Sequence, residues 1–117
     1  MSKCPVFDVA GLVGKKWTIA LIQEVDFYGN EGFNSLFRRM GKISPKVLTM
    51  RLRGLERRGI IERAVNNGGG LERTSYRLTG RGRELQGIIS SLKKWNSANG
   101  ETAADCYKKE CAACAYY

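Results

Sequence analysis

Apolar residues recur at steps of three and four from Val6 to Val25, through Val9, Ala10, Val13, Trp17, Ala20 and Leu21. That spacing predicts one long amphipathic helix over this stretch. Phe7, Leu12, Ile19 and Ile22 widen its apolar face, so burial on two sides is expected, against the domain core and against a partner chain. Pro5 suits the first helical turn, where a missing N–H costs little. Gly29, Asn30 and Gly32 then interrupt the pattern as turn formers. A short helix is predicted over 33–40, with Phe33, Leu36, Phe37 and Met40 on one face and Arg38 and Arg39 mostly on the other.

Gly41-Lys42-Ile43 makes a tight connection, and Ser44-Pro45 is a helix start. The Ser44 hydroxyl can cap free backbone N–H groups, and proline is preset for the first helical position. This next helix is expected to run to about Arg58 and stop at Gly59. Leu48, Leu52 and Leu55 form a narrow core stripe, with Lys46, Met50, Arg53 and Arg57 opposite and Thr49 at the edge. Two short helices joined by a few residues, the second basic on its outer face, are the helix-turn-helix pattern. Residues 60–65 and 71–78 follow, with alternation at Ile61, Arg63 and Val65 and at Thr74, Tyr76 and Leu78, around the turn Asn66-Asn67-Gly68-Gly69-Gly70. They predict a β-hairpin, the wing of a winged helix. Thr79 can cap a last helix running to about Trp95, with Leu85, Ile88, Ile89 and Leu92 on one face. That stripe exceeds what a small core needs and reads as a dimerisation helix, the alternative being a helix folded back on its own domain.

The expected fold class is thus α+β and mainly helical, a winged helix-turn-helix with a two-stranded wing and terminal dimerisation helices. One domain is expected over 4–95, followed by a cysteine-containing tail over 96–117. At 117 residues the chain is long enough for one hydrophobic core. No apolar run approaches the ~18 residues a membrane span needs, and no apolar stretch follows the first residues, so a cytoplasmic protein without membrane partners is expected.

Charge sharpens the functional reading. Twenty lysines and arginines against eleven acids give a formal net charge of +9. Residues 38–83 carry a long run of arginine and lysine with only Glu56, Glu62 and Glu72 as acids. Concentration of positive charge in one stretch favours a polyanionic partner, nucleic acid first. Histidine is absent, which removes the commonest general base and neutral metal ligand. Gly68-Gly69-Gly70 lacks the spacing of a phosphate loop or dinucleotide fingerprint. No enzyme is expected.

Several segments together resemble the HxlR family of bacterial and archaeal regulators, relatives of the MarR group. They are Cys4-Pro5, Gly14-Lys15-Lys16-Trp17-Thr18, Ile43-Ser44-Pro45-Lys46-Val47-Leu48-Thr49 with Arg51, Leu52 and Leu55, and Tyr76-Arg77-Leu78-Thr79 with Gly82 and Leu85. The resemblance spans about residues 4 to 95. It implies a homodimeric winged-helix regulator that binds inverted-repeat double-stranded DNA through paired recognition helices. Family wings often carry prolines in the loop; this one has Asn66-Asn67 and three glycines instead, and the cysteine-rich tail lies outside the usual pattern.

Within that frame, Lys46 and Arg53 can reach guanine edges or phosphates, and Thr49 and Met50 offer small polar and apolar contacts to base edges. Ser44 and its helix N-terminus can bind a phosphate. Arg38, Arg39, Arg57, Arg63, Arg73 and Arg77 read as phosphate-positioning charges, which carry no sequence information. The competing reading is a basic winged-helix interaction module, binding nucleic acid without specificity or binding protein, with a metal-holding tail. The cysteines leave three readings open. The resemblance supports Cys4 as a redox-sensing thiol. Cys106, Cys111 and Cys114, at C-x4-C-x2-C spacing, could hold zinc or an iron–sulfur cluster. The third reading is disulfides or free thiols without regulatory effect. The sequence names no operator and no inducer.

Overall fold

A computed structural model describes residues 4–29, 32–66 and 73–98. Helices α1 (Pro5–Val13), α2 (Thr18–Tyr28), α3 (Phe33–Met40) and α4 (Pro45–Arg57) precede a hairpin of β1 (Ile61–Asn66) and β2 (Arg73–Leu78), and α5 (Gly80–Ala98) follows. The fold is the mainly helical α+β winged helix that the apolar pattern predicts. The tail cysteines Cys106, Cys111 and Cys114 and the wing-loop residues 67–72 lie outside the described residues, as does the side chain of Arg73.

The long first helix of the sequence reading is two helices. After Val13 the chain bends through Gly14–Trp17: Gly14 N–H donates to the Ala10 carbonyl at 2.8 Å, and Thr18 N–H donates to the Lys15 carbonyl at 3.1 Å. Trp17 itself takes the left-handed conformation, with φ 78°. Such a conformation costs a non-glycine residue roughly 1–3 kcal/mol. Trp17 is only 9% exposed. Burying ~150–250 Å² of aromatic surface at ~25 cal/mol per Å² contributes at most about 4–6 kcal/mol, enough to hold the bend. Trp17 keeps the three-and-four spacing on both sides, so the periodicity runs unbroken across a real break.

α2 is the central helix: Ala20, Leu21, Ile22 and Val25 are buried, and so are Thr18, Gln23 and Glu24. Glu24 and Gln23 reach neighbouring helices. Arg39 Nε on α3 donates to Glu24 Oε2 at 3.0 Å, while the Arg39 guanidinium lies over the Tyr28 ring at 3.9 Å. Lys93 Nζ on α5 donates to Gln23 Oε1. Leu36 and Met40 from α3, Leu48, Leu52 and Leu55 from α4, Ile61, Tyr76 and Leu78 from the hairpin and Ile89 from α5 complete the core.

α4 starts and stops by local rules. The Ser44 Oγ accepts from Val47 N–H at 3.1 Å, and Pro45 occupies the first turn. At its end, Gly59 N–H donates to the Glu56 carbonyl and Ile60 N–H to the Leu55 carbonyl, at 3.0 and 2.9 Å. This paired closure is a Schellman motif, and Gly59 supplies the positive φ of 72° that it requires. Ile60 is also a junction. Its carbonyl accepts from Thr79 N–H at 3.0 Å. A Cβ at Gly82 would stand 2.0 Å from the same oxygen, so only glycine allows α5 to approach here. Thr79 Oγ1 in turn accepts from Gly82 N–H at 3.0 Å and caps α5. The strands pair antiparallel, from Ile61 opposite Leu78 to Asn66 opposite Arg73.

The apolar stripe of α5 divides. Ile89 is buried and Leu85 packs against the core, while Ile88, Leu92 and Trp95 are exposed. α1 contributes no fully buried residue; its Val6, Phe7 and Val9 are exposed.

Candidate nucleic-acid interface

Capping, closure and the leucine stripe fix α4 against the core by one face, which turns Lys46, Met50, Arg53 and Arg57 to solvent. Thr49 is half-buried at the edge. Among the described residues, Lys46, Arg53 and Arg57 form no ion pair. An uncompensated basic stripe on a capped, exposed helix is suited to an anionic polymer, with the helix N-terminus at Ser44 adding a partial positive charge.

The hairpin brings a second set of groups alongside. Arg63 sits opposite Tyr76 in the register, close enough to act on its hydroxyl. A groove of about 260 Å³ between α3, α4 and the hairpin is lined by Phe33, Thr49, Arg53, Glu56, Arg63 and Tyr76. Burial, reinforced by the Glu56 carboxylate, pushes the Tyr76 phenol above its ordinary range, so Tyr76 enters this groove as a neutral hydroxyl. Thr49 and Arg53 of the recognition helix and Arg63 of the wing thus share one groove.

The remaining arginines separate into distinct roles. Arg38 is exposed on α3. Arg39, which the sequence groups with it, is engaged inward with Glu24 and Tyr28. Arg77 pairs with Glu62 across the strands at 2.5 Å, so its charge is compensated locally. Arg73 lies at the start of β2.

Contacts that sequence spacing did not indicate tie α1 and its bend to α4. Arg58, at the C-cap of α4, holds the Asp8 carboxylate with both terminal nitrogens, at 3.4 and 2.8 Å. Arg51 Nε donates to the Lys16 carbonyl at 3.0 Å. These partners lie 50 and 35 residues apart, and only the surplus of arginine over acid hinted at them. A cleft of about 270 Å³ opens beside these ties, between the α1–α2 bend and α4; Lys15, Thr18, Met50, Arg53 and Arg57 are among its walls. Cys4 is an exposed free thiol at the N-cap of α1. No three histidine, cysteine or acidic residues cluster as metal ligands among the described residues. No helix among them is long and apolar enough to cross a membrane.

A capped helix-turn-helix, a basic outer face and a wing define a DNA-binding winged-helix protein. The profile of the HxlR-like helix-turn-helix family matches residues 12–104, and the chain belongs to that family. An HTH-type transcriptional regulator of Synechocystis, sll1512, is 38% identical over 97 residues, covering 80% of this chain and 68% of its own length. Among solved structures, the reduced form of the transcriptional regulator YodB from Bacillus subtilis superposes with a TM-score of 0.74 at 30% identity, covering 86% of this chain and 97% of that one. The redox regulator HypR in its reduced form gives 0.71 at 32% identity, covering 84% and 95%. The family and these relatives are transcriptional regulators and not enzymes, and this chain is a regulator of the HTH type.

Proposed function

We propose that this regulator works in the cytoplasm as a homodimer that recognises an inverted repeat in double-stranded DNA. The observation that carries the reading is the outer face of α4, where Lys46, Met50, Arg53 and Arg57 stand exposed on a helix capped by Ser44. In this arrangement α4 enters the major groove. Arg53 and Lys46 address guanine N7 and O6, and Thr49 and Met50 meet neighbouring base edges. Arg57, Arg63 and Arg38 hold phosphates, with Arg73 on the wing and with Arg77 once phosphate displaces Glu62, and fix the register without reading sequence. Arg39 serves the fold instead, through Glu24.

The exposed apolar residues of α1 and α5 support a dimer. Phe7 and Trp95 are 78% and 68% exposed, and side chains of that size on amphipathic terminal helices are suited to a second copy. Two copies would place recognition helices about one DNA turn apart, roughly 34–36 Å. Regulation by oxidation is assigned to Cys4, which is exposed at the start of α1 in a chain similar to a redox regulator.

Fluorescence anisotropy on the chain's own upstream DNA, against scrambled duplex, tests this reading with reduced and oxidised protein. Selective binding of the upstream duplex, changed by oxidation and unresponsive to oxidant in Cys4→Ser, is expected. Equal binding to both duplexes that falls steeply with salt would leave a non-specific basic module. Arg53→Ala is expected to cost about 1–3 kcal/mol of binding and to relax preference at one base step. An unchanged profile across operator variants would remove Arg53 from base readout.

A further inference from the structure

The arginines of α4 divide by face. Arg53 and Arg57 stand on the basic outer face with Lys46, whereas Arg51 and Arg58 turn towards α1 and are engaged there. These two lie two turns apart, about 10.5 Å along the helix at 1.5 Å per residue. Arg58 grips the Asp8 carboxylate with both terminal nitrogens, and Arg51 Nε donates to the Lys16 carbonyl. The first tie holds the opening turn of α1, and the second holds the bend beyond its end. α1 has few other attachments: Leu12 packs against the core, and no residue of the helix is fully buried. Asp8 is the one charged residue of α1. It shares a half-buried inner face with Leu12, one turn on, while Val6, Phe7 and Val9 are exposed.

Stability does not account for the Asp8–Arg58 pair. The side chains of Arg58 and Asp8 are 33% and 39% exposed, and ion pairs so open to water contribute little to folding. What a two-pronged arginine–carboxylate contact supplies is geometry, because the planar fork fits a narrow range of orientations. Such a contact, placed between the helix that carries the exposed apolar side chains and the helix that carries the basic face, is suited to setting one against the other.

We propose that Asp8, Arg58 and Arg51 are positioning residues that fix α1 on α4 and so set the half-site separation that the dimer reads. This assignment rests on the dimeric DNA reading above. In a two-fold dimer, the path between recognition helices runs from α4 through α1 to the partner's α1 and α4, so any play between α1 and α4 enters twice. One extra base pair between half-sites moves them ~3.4 Å apart and turns them by about 35°. A stiff link penalises that change, and a loose one tolerates it. The exposed stripe of α5 keeps the two copies together when the ties are cut, so the ties govern spacing rather than association.

Fluorescence anisotropy with the reduced full chain tests the assignment. The duplexes are the upstream operator, the same operator with one base pair inserted or deleted between its half-sites, and a single half-site. The parent protein is expected to lose about tenfold or more in affinity on either change of spacing. Asp8→Asn, which keeps every cation of the DNA face, is expected to shrink that loss to about twofold, with single-half-site affinity within about twofold of the parent. Arg58→Gln should match it, and the double variant should go no further than either alone, because all three remove one contact. Arg51→Gln should widen the tolerance in the same direction. A purely structural role would weaken binding to every duplex alike and leave the spacing ratio where it was. An unchanged ratio in Asp8→Asn and Arg58→Gln therefore overturns the proposal and leaves the DNA reading standing. Variants that sediment as monomers overturn it too, since the ties would then hold the dimer itself. A parent protein indifferent to spacing, or one that binds a single half-site as tightly as the whole operator, removes the dimeric reading and the proposal with it.

Discussion

α1 and α2 carry the same kind of apolar spacing, yet they end in opposite environments. From Thr18 to Val25 α2 is buried nearly all round, and even its Gln23 and Glu24 are enclosed and bound to Lys93 and Arg39. α1 buries no residue fully; it is held by Leu12 against the core and by the Asp8–Arg58 ion pair. Apolar periodicity therefore states that a face needs covering without stating what covers it. In α2 the cover is the chain's own domain. In α1, and on the outer stripe of α5, the cover proposed here is a second copy.

Substitutions in the buried and the exposed helix should act on different quantities. Leu21→Ala in α2 removes a side chain that is fully buried, and should cost about 2–5 kcal/mol in urea unfolding. Arg39→Met should cost about 3 kcal/mol, because it leaves Glu24 buried without its guanidinium. A small loss there would mean that the Tyr28 and Glu24 contacts hold α3 only weakly. Phe7→Ser in α1 should do something different in kind. Sedimentation equilibrium should show the dimer dissociation constant raised about tenfold, equivalent to about 1.4 kcal/mol. If Phe7→Ser leaves association untouched, α1 is no dimer element and its likeness to α2 ends at the spacing. Ser44→Ala should have the smallest effect, about 1 kcal/mol of stability from the lost cap, and thermal unfolding checks it.

What could be read from the chain followed from how local each cause is. Ser44-Pro45 and Gly59 set the ends of α4 within a few residues, so its bounds and its core stripe were legible. The alternation around the Asn/Gly turn gave the wing for the same reason. The bend at Trp17 was not legible, because a residue that satisfies the helical spacing also breaks the helix. Arg39 lay on the predicted outer face of α3, and only the buried carboxylate on another helix drew it inward. The ties from Asp8 to Arg58 and from Arg51 to Lys16 needed the assembled fold. In α5 the pattern marked the apolar stripe but could not divide its inner side, with Ile89, from its outer side, with Ile88 and Leu92.

The junction at Ile60 has a mechanical consequence. One residue receives the end of α4 through its N–H and the start of α5 through its carbonyl, with Gly82 pressed against the same oxygen. Recognition helix and α5 are therefore joined like two arms at a pivot with little play. α5 has 19 residues, which at 1.5 Å per residue makes an arm of about 28 Å. A tilt of about 5° at the pivot moves its far end by about 2.5 Å. Ile89 in the core and the Lys93–Gln23 hydrogen bond hold that arm against α2, so the setting of its far end and the aim of α4 are fixed together.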